Sequence, residues 1–191
     1  IYVYFENMKL FIIPSWYPTE LHPENGSFFR DWATMLNKTN LDITMLAPIQ
    51  HSLKDCYKYW KIKKKLTYND NGLPTFINET INIYPKLPYY AFNRYKKHTT
   101  RFFDYVVNQQ GHPNVVLFHS SLWSAAALAP HLYNNNIPYI ITEHLKEFLL
   151  KNHLTQFQKQ CIQDSYNFAF KIIATSSALK NSIENQFPNS K

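Results

Sequence analysis

Only 3 glycines occur in 191 residues, and none of them forms a Gly-x-Gly-x-x-Gly run after a strand. The dinucleotide fingerprint is therefore missing, and so are a Walker phosphate loop, a Gly-x-Ser-x-Gly nucleophile elbow and a Cys-x-x-Cys pair. These absences argue against NAD, ATP, serine-hydrolase and zinc chemistry, because each needs its residues at fixed spacing. Neither an H-x-x-x-H nor a D-x-D metal pair is found, so no metal site is expected. The 2 cysteines, Cys56 and Cys161, are single and far apart. They read as free thiols, which suits a reducing cytoplasm. No apolar run approaches the ~18 residues of a membrane span, and the N-terminus lacks a signal-peptide layout. Asn-x-Ser/Thr triplets begin at Asn25, Asn37 and Asn78, and are read as chance in an Asn-rich chain.

Apolar residues make up 45% of the chain and aromatics 17%, enough for a substantial core. The segment 1–7 precedes Met8 and is read as a non-native leader; residues 8–187 are expected to form one domain, with 188–191 starting a linker. The formal charge of +7 is uneven. Lys54, Lys58, Lys61, Lys63, Lys64 and Lys65 crowd one segment around Tyr57, Tyr59 and Trp60, and Arg94, Lys96 and Lys97 follow a second aromatic group. Such interleaving suits a membrane surface or an anionic ligand; a solvated lysine face is the plain alternative. No nucleic-acid motif accompanies it, and no nucleic-acid partner is expected.

Met8–Ser15 reads as a buried strand and Ser15–Asn25 as a loop far longer than the ~2–6 residues usual between strand and helix. A helix follows from Gly26-Ser27, with Phe28, Trp32, Met35 and Leu36 expected on its buried face. Leu41–Ala47 is a second strand, closed by Pro48. Residues 49–88 break the pattern and read as an inserted hairpin or peripheral strands, turning at Asn69–Gly72. Helical patterns over 90–110, 122–135, from about 154 and after 176 then alternate with strands at 115–118, 138–142 and 171–175. This order predicts an α/β fold, a Rossmann-like doubly wound parallel sheet with a hairpin region around 50–88.

Ligands of open parallel sheets bind beyond the carboxyl ends of the strands. Here those ends carry Ser15, His119-Ser120-Ser121, Thr142-Glu143-His144 and Thr175-Ser176-Ser177. His144 is a candidate proton acceptor or donor to a substrate oxygen, against a strand-end histidine that caps backbone groups. His119 has the same two readings; Ser120 or Ser121 could instead cap the next helix. Glu143 could orient a sugar hydroxyl or pair with Lys146. Trp16 and Tyr17 could stack on a sugar ring or pack the loop. Gly26 and Ser27 could receive a phosphate at the helix start, or form an ordinary turn.

Lys9-Leu-Phe-Ile-Ile-Pro-Ser-Trp-Tyr-Pro18, Gly26-Ser-Phe-Phe29, Val116-Leu-Phe-His119, Ile137-Pro-Tyr-Ile-Ile-Thr-Glu-His144 and Lys171-Ile-Ile-Ala-Thr-Ser176 together resemble the N-terminal, acceptor-side domain of family 4 retaining glycosyltransferases. The resemblance runs through most of the chain after Met8 and is weakest over 49–88. It implies one half of a GT-B architecture, with the active site between two Rossmann-like domains and no metal or other cofactor beyond the nucleotide-sugar co-substrate. It places Gly26, with Ser27, near the donor phosphate, His144 at the reaction centre and His119 in the acceptor pocket. Ser15, Trp16, Tyr17, Ser120 and Glu143 complete the expected substrate wall. The expected partners are a nucleotide sugar and a glycan or lipid-linked acceptor, at the cytoplasmic face of a membrane. The family's E-x7-E carboxylates belong to a C-terminal donor domain, which has no counterpart in these residues, so the chain alone is expected to be inactive. A non-enzymatic glycan or anion-binding module and half of a UDP-sugar 2-epimerase are the alternatives.

Overall fold

The computed structural model describes residues 8–60, 67–150 and 154–188. Strand β1 (Lys9–Pro14) leads through a long loop to helix α1 (Ser27–Leu36), then β2 (Asp42–His51) and the short α2 (Cys56–Tyr59). The hairpin β3 (Thr67–Asp70) and β4 (Leu73–Ile81) precedes α3 (Pro88–Gln110) and β5 (Val115–His119). An irregular turn at Ser121–Ala125 enters α4 (Ala126–Asn134), followed by β6 (Tyr139–Glu143), α5 (Gln156–Asn167), β7 (Lys171–Ala174) and α6 (Ser177–Gln186). The sheet has 7 strands in the order β3-β4-β2-β1-β5-β6-β7. All pairings are parallel except β3 with β4. The doubly wound α/β expectation holds.

Both faces of the sheet are covered, which is why its inner strands read as unbroken apolar runs. Alternate residues point to opposite faces. Leu10 and Ile12 of β1 join Ile43, Met45, Leu117 and Ala33 of α1 in one core. Phe11 and Ile13 join Val116, Phe118 and residues of α3, α4, α5 and α6 in the other. The helix ends carry the signals their residues suggest. Pro88 opens α3 and Gly111, at φ 83, ends it; Thr155 and Gln158 form a reciprocal capping box on α5.

Three expectations need correction. The buried face of α1 is Phe29 and Ala33, with Trp32 and Leu36 partly covered, while Phe28 and Met35 are exposed. Strand β2 does not stop at Pro48 but continues to His51, paired with β4. Proline is tolerated there because β1 pairs β2 only as far as Met45. The Pro48 carbonyl turns to that open flank and accepts from the Tyr95 hydroxyl at 3.0 Å, so the missing N–H faces the flank too and costs no ladder bond. Finally, the 49–88 segment holds the expected hairpin, turning at Asn71-Gly72 with both residues at positive φ. It is built into the sheet rather than added to it: β4 lies parallel to β2 over 7 residue pairs, and Leu73 and Ile77 enter the α1-side core.

The Tyr95 hydroxyl also bonds Ser124 Oγ at 2.9 Å, and Ser124 reaches the Pro14 carbonyl at 3.4 Å. This buried chain ties α3 to the ends of β1 and β2. Tyr95→Phe is expected to lower stability by about 1–3 kcal/mol in urea unfolding, since it removes the donor to the buried Pro48 carbonyl. An unchanged midpoint would show that the network contributes nothing.

Candidate functional site

Parallel register assembles the polar strand ends. His119 pairs with Pro14 on one side and Thr142 on the other. His144, two residues beyond Thr142, emerges on the same face as His119, and their rings meet with Nδ1 of His119 3.3 Å from Nε2 of His144. Both lie on the α1 side. The ring of Phe29 stacks on His119 at 4.5 Å, Trp32 meets it edge-on at 5.1 Å, and Phe29 stands edge-on to His144 at 5.2 Å. Phe28 is exposed and also faces His144, at 6.3 Å.

Burial disfavours the imidazolium form of both rings, and the neighbouring His144 lowers His119 further, to about 3. Both are neutral at pH 7. His119 Nε2 is buried without a hydrogen-bond partner among the described residues. A stranded lone pair is less costly than a stranded N–H, so we assign the His119 proton to Nδ1, donating to His144 Nε2. The proton of His144 then sits on Nδ1, and this half-buried ring offers a neutral N–H donor.

Glu143 points the opposite way, as strand alternation requires. It is fully buried, and its Oε1 accepts from the Ser121 backbone N–H at 2.5 Å. Burial pushes its pKa up to about 7, against the lowering influence of Ser121 and Tyr166. The expected hydroxyl-orienting position for Glu143 is thus an interior one, beneath the histidine pair. Ser120 is likewise fully buried, and the hydroxyls of Ser120 and Ser121 cap no helix among the described residues. The Ser15 hydroxyl bonds the backbone carbonyls of His119 and Leu122, so it fastens the ends of β1 and β5 together. Thr175 bonds the Glu143 carbonyl and Ser176 caps α6, so the end of β7 serves the fold.

Gly26 caps α1 at φ 69, and a Cβ there would lie 2.2 Å from the Trp16 carbonyl oxygen. The glycine lets the long loop fold back against the helix start. Ser27 is the first residue of α1, and its helix has no side-chain cap. Trp16 is exposed, whereas Tyr17 is buried in the α1-side core with its hydroxyl 3.0 Å from Asp70 Oδ2.

The folded-back loop forms one wall of a cleft of about 430 Å³ at the carboxyl ends of β1 and β2. Ser15, Trp16, Gln50, His51, Tyr95 and Trp123 are among its lining residues. His22 and Asp55 also line it. His119 and His144 do not; they stand against the first turn of α1. Gln50, His51, Tyr95 and Trp123 escaped sequence reasoning because they come from segments assigned to a hairpin and to helix cores. No period-2 alternation continues past Pro48, where Gln50, His51 and Ser52 are three polar residues in a row, so no local pattern marked Gln50 and His51. In the lysine-rich segment, Lys54 lies in a single turn at Leu53–Asp55 and Lys58 in α2, both exposed. Lys61, Lys63, Lys64 and Lys65 lie outside the described residues.

No protein-family model matches the chain, and no curated protein matches it. Solved structures do. Arabidopsis thaliana UGT89C1 complexed with UDP aligns over 96% of this chain and 50% of its own, at 10% identity and TM-score 0.55. UDP-GlcNAc 2-epimerase from Methanocaldococcus jannaschii aligns over 94% and 42%, at 16% identity and TM-score 0.52. The trehalose-6-phosphate phosphatase N-terminal domain of Candida albicans aligns over 95% and 43%, at 13% identity and TM-score 0.58. The chain thus has the Rossmann-like fold of one GT-B half and spans about half the length of the structures it matches.

Between the unfolded-state pKa of Glu143, near 4.5, and its folded value of about 7, the folded chain holds a proton the unfolded chain has lost. Stability from this acid is complete below pH 4.5 and falls as pH rises through 7. His119 acts in the opposite sense, removing stability as pH falls from 6.5 toward 3. Glu143→Gln is therefore expected to be more stable than the parent at pH 8 in urea unfolding, by on the order of a few kcal/mol, and to match it near pH 4.5. A difference that does not vary with pH would refute the assignment.

Proposed function

We propose that this chain is the N-terminal, acceptor-side half of a GT-B glycosyltransferase that moves a sugar from a nucleotide donor to a glycan or lipid-linked acceptor. The observation that carries the reading is the neutral histidine pair at the ends of β5 and β6, set against the first turn of α1. Such a pair can donate to a sugar oxygen without bringing a positive charge to it. Phe28 stays exposed beside His144, as suits a surface that closes against a ligand or a second domain. The retaining, family 4 assignment rests on the Ser15-Trp-Tyr-Pro18 and Thr142-Glu-His144 resemblances.

Under this reading His144 is the reaction-centre donor, His119 fixes its tautomer, and Gly26 with Ser27 opens α1 toward a donor phosphate. Catalysis needs both walls of the interdomain cleft, so the chain alone is expected to transfer no sugar from any nucleotide sugar. In a protein that joins it to a donor domain, His144→Ala is expected to lower kcat/KM roughly 10²–10⁴-fold. Robust turnover by the isolated chain would sink the first statement, and full activity of the variant the second.

Half of a UDP-sugar 2-epimerase is a second reading, favoured by the 2-epimerases among the structural neighbours. Labelled UDP-N-acetylglucosamine separates the two: an inverted C2 in the free product favours the epimerase, a glycosylated acceptor the transferase.

Approach to a membrane-borne acceptor would use Lys54 and Lys58 with the exposed Tyr57 and Trp60 beside them. Salt-sensitive co-sedimentation with anionic, but not neutral, vesicles is expected. Equal recovery with both lipids would argue against it.

A further inference from the structure

The cleft beyond β1 and β2 carries a cluster that the glycosyltransferase reading leaves unused. His22 comes from the long first loop, His51 is the last residue of β2, and Asp55 ends the turn that follows. One ligand atom from each lies within 4.8 Å of the other two. We propose that His22, His51 and Asp55 bind a divalent transition-metal ion, zinc foremost, on the wall of this cleft.

Geometry and ligand type both support the assignment. A tetrahedral zinc with bonds near 2.0–2.1 Å holds its donor atoms about 3.4 Å apart. His22 Nε2 already stands 3.6 Å from Asp55 Oδ2, so small side-chain rotations close the set. Two imidazoles with one carboxylate suit zinc and its neighbours, whereas magnesium and calcium prefer oxygen donors throughout.

Each ligand is also held in place. The Thr19–His22 turn is closed by backbone bonds of 3.2 Å in both directions, and Thr19 Oγ1 accepts from the His22 N–H. Ser52 caps the turn that ends in Asp55. His51 is buried, and its Nε2 bonds Glu79 Oε2 at 2.6 Å, which orients the ring, so that Nδ1 is the nitrogen the ion would take. The rings of His22 and His51 stack at 5.9 Å, which brings the two imidazoles to one place in the cleft.

Three protein ligands leave one position of a tetrahedral ion for water or a ligand oxygen. The same ion would clamp the long first loop to the end of β2. The proposal stands independently of the glycosyltransferase reading.

Metal-stripped chain titrated with Zn²⁺ by calorimetry, and with Co²⁺ by visible absorption, tests it. The expected result is one ion per chain and cobalt d–d bands typical of a low-coordinate site. His22→Ala and Asp55→Asn, both at partly exposed positions outside the core, are each expected to weaken Zn²⁺ binding at least tenfold. His112→Ala, at an exposed histidine outside the cluster, is expected to leave it unchanged. Zinc at a hundredfold excess over Kd is expected to raise Tm by roughly 5–10 °C in the parent chain and not in the His22→Ala/Asp55→Asn double variant. Uptake no greater than that of the double variant, or binding indifferent to both single substitutions, would overturn the proposal.

Discussion

Strand β1 is the constraint on which the rest of the molecule depends. It lies inside the sheet, bonded to β2 on one edge and β5 on the other, and its alternate side chains found two separate cores. An apolar run buried on both faces has no freedom to slip, because a shift by one residue would exchange every side chain between the cores. In-register pairing then carries the alternation of β1 outward through β5 to β6. Leu10 and Ile12 share a face with Leu117, and that face ends in His119 and His144. Phe11 and Ile13 share the opposite face with Phe118 and Ile141, and that face ends in Glu143. The separation of a neutral histidine pair from a buried acid follows from strand parity alone.

The long loop after β1 is the second consequence. It must leave a buried strand, travel across the sheet's carboxyl edge and start a helix that covers β1 and β2. Gly26 makes the reversal possible, and Tyr17 anchors the loop from beneath through its buried ring and its bond to Asp70. What remains above is a wall with Trp16 at its rim and His22 turned toward His51. The loop, the extended end of β2 and the Tyr95–Ser124 bridge enclose the cleft together.

Much of this was legible before folding. The strands of the sheet interior, the end of α3 at Gly111 and the polar character of the strand ends all follow from local pattern. The face of α1 did not, because Phe28, Phe29, Trp32, Ala33, Met35 and Leu36 satisfy two helical stripes at once. Ala33 decided between them: its small side chain is the one that lets the helix approach the sheet, and it is fully buried. The reach of β2 past Pro48 was hidden for a related reason. A proline breaks a strand only where its N–H would be used, and that depends on where β1 stops.

Residue types and their periods determined the α/β class, the alternation of strands and helices, and the histidines carried at strand ends, because burial acts on each side chain through its local spacing. Which of those polar residues meet was decided by register, loop path and the parity of neighbouring strands. Tertiary structure drew Glu143, Ser120 and Tyr17 inside, joined His119 to His144, and brought His22 to His51 and Asp55 across 29 and 33 positions of sequence. The physical reason is that a hydrogen bond or a ligand set needs atoms within a few ångströms, and only the folded backbone sets distances between residues far apart in the chain. The opening stretch supplied one wall of the cleft, and the fold supplied what it faces.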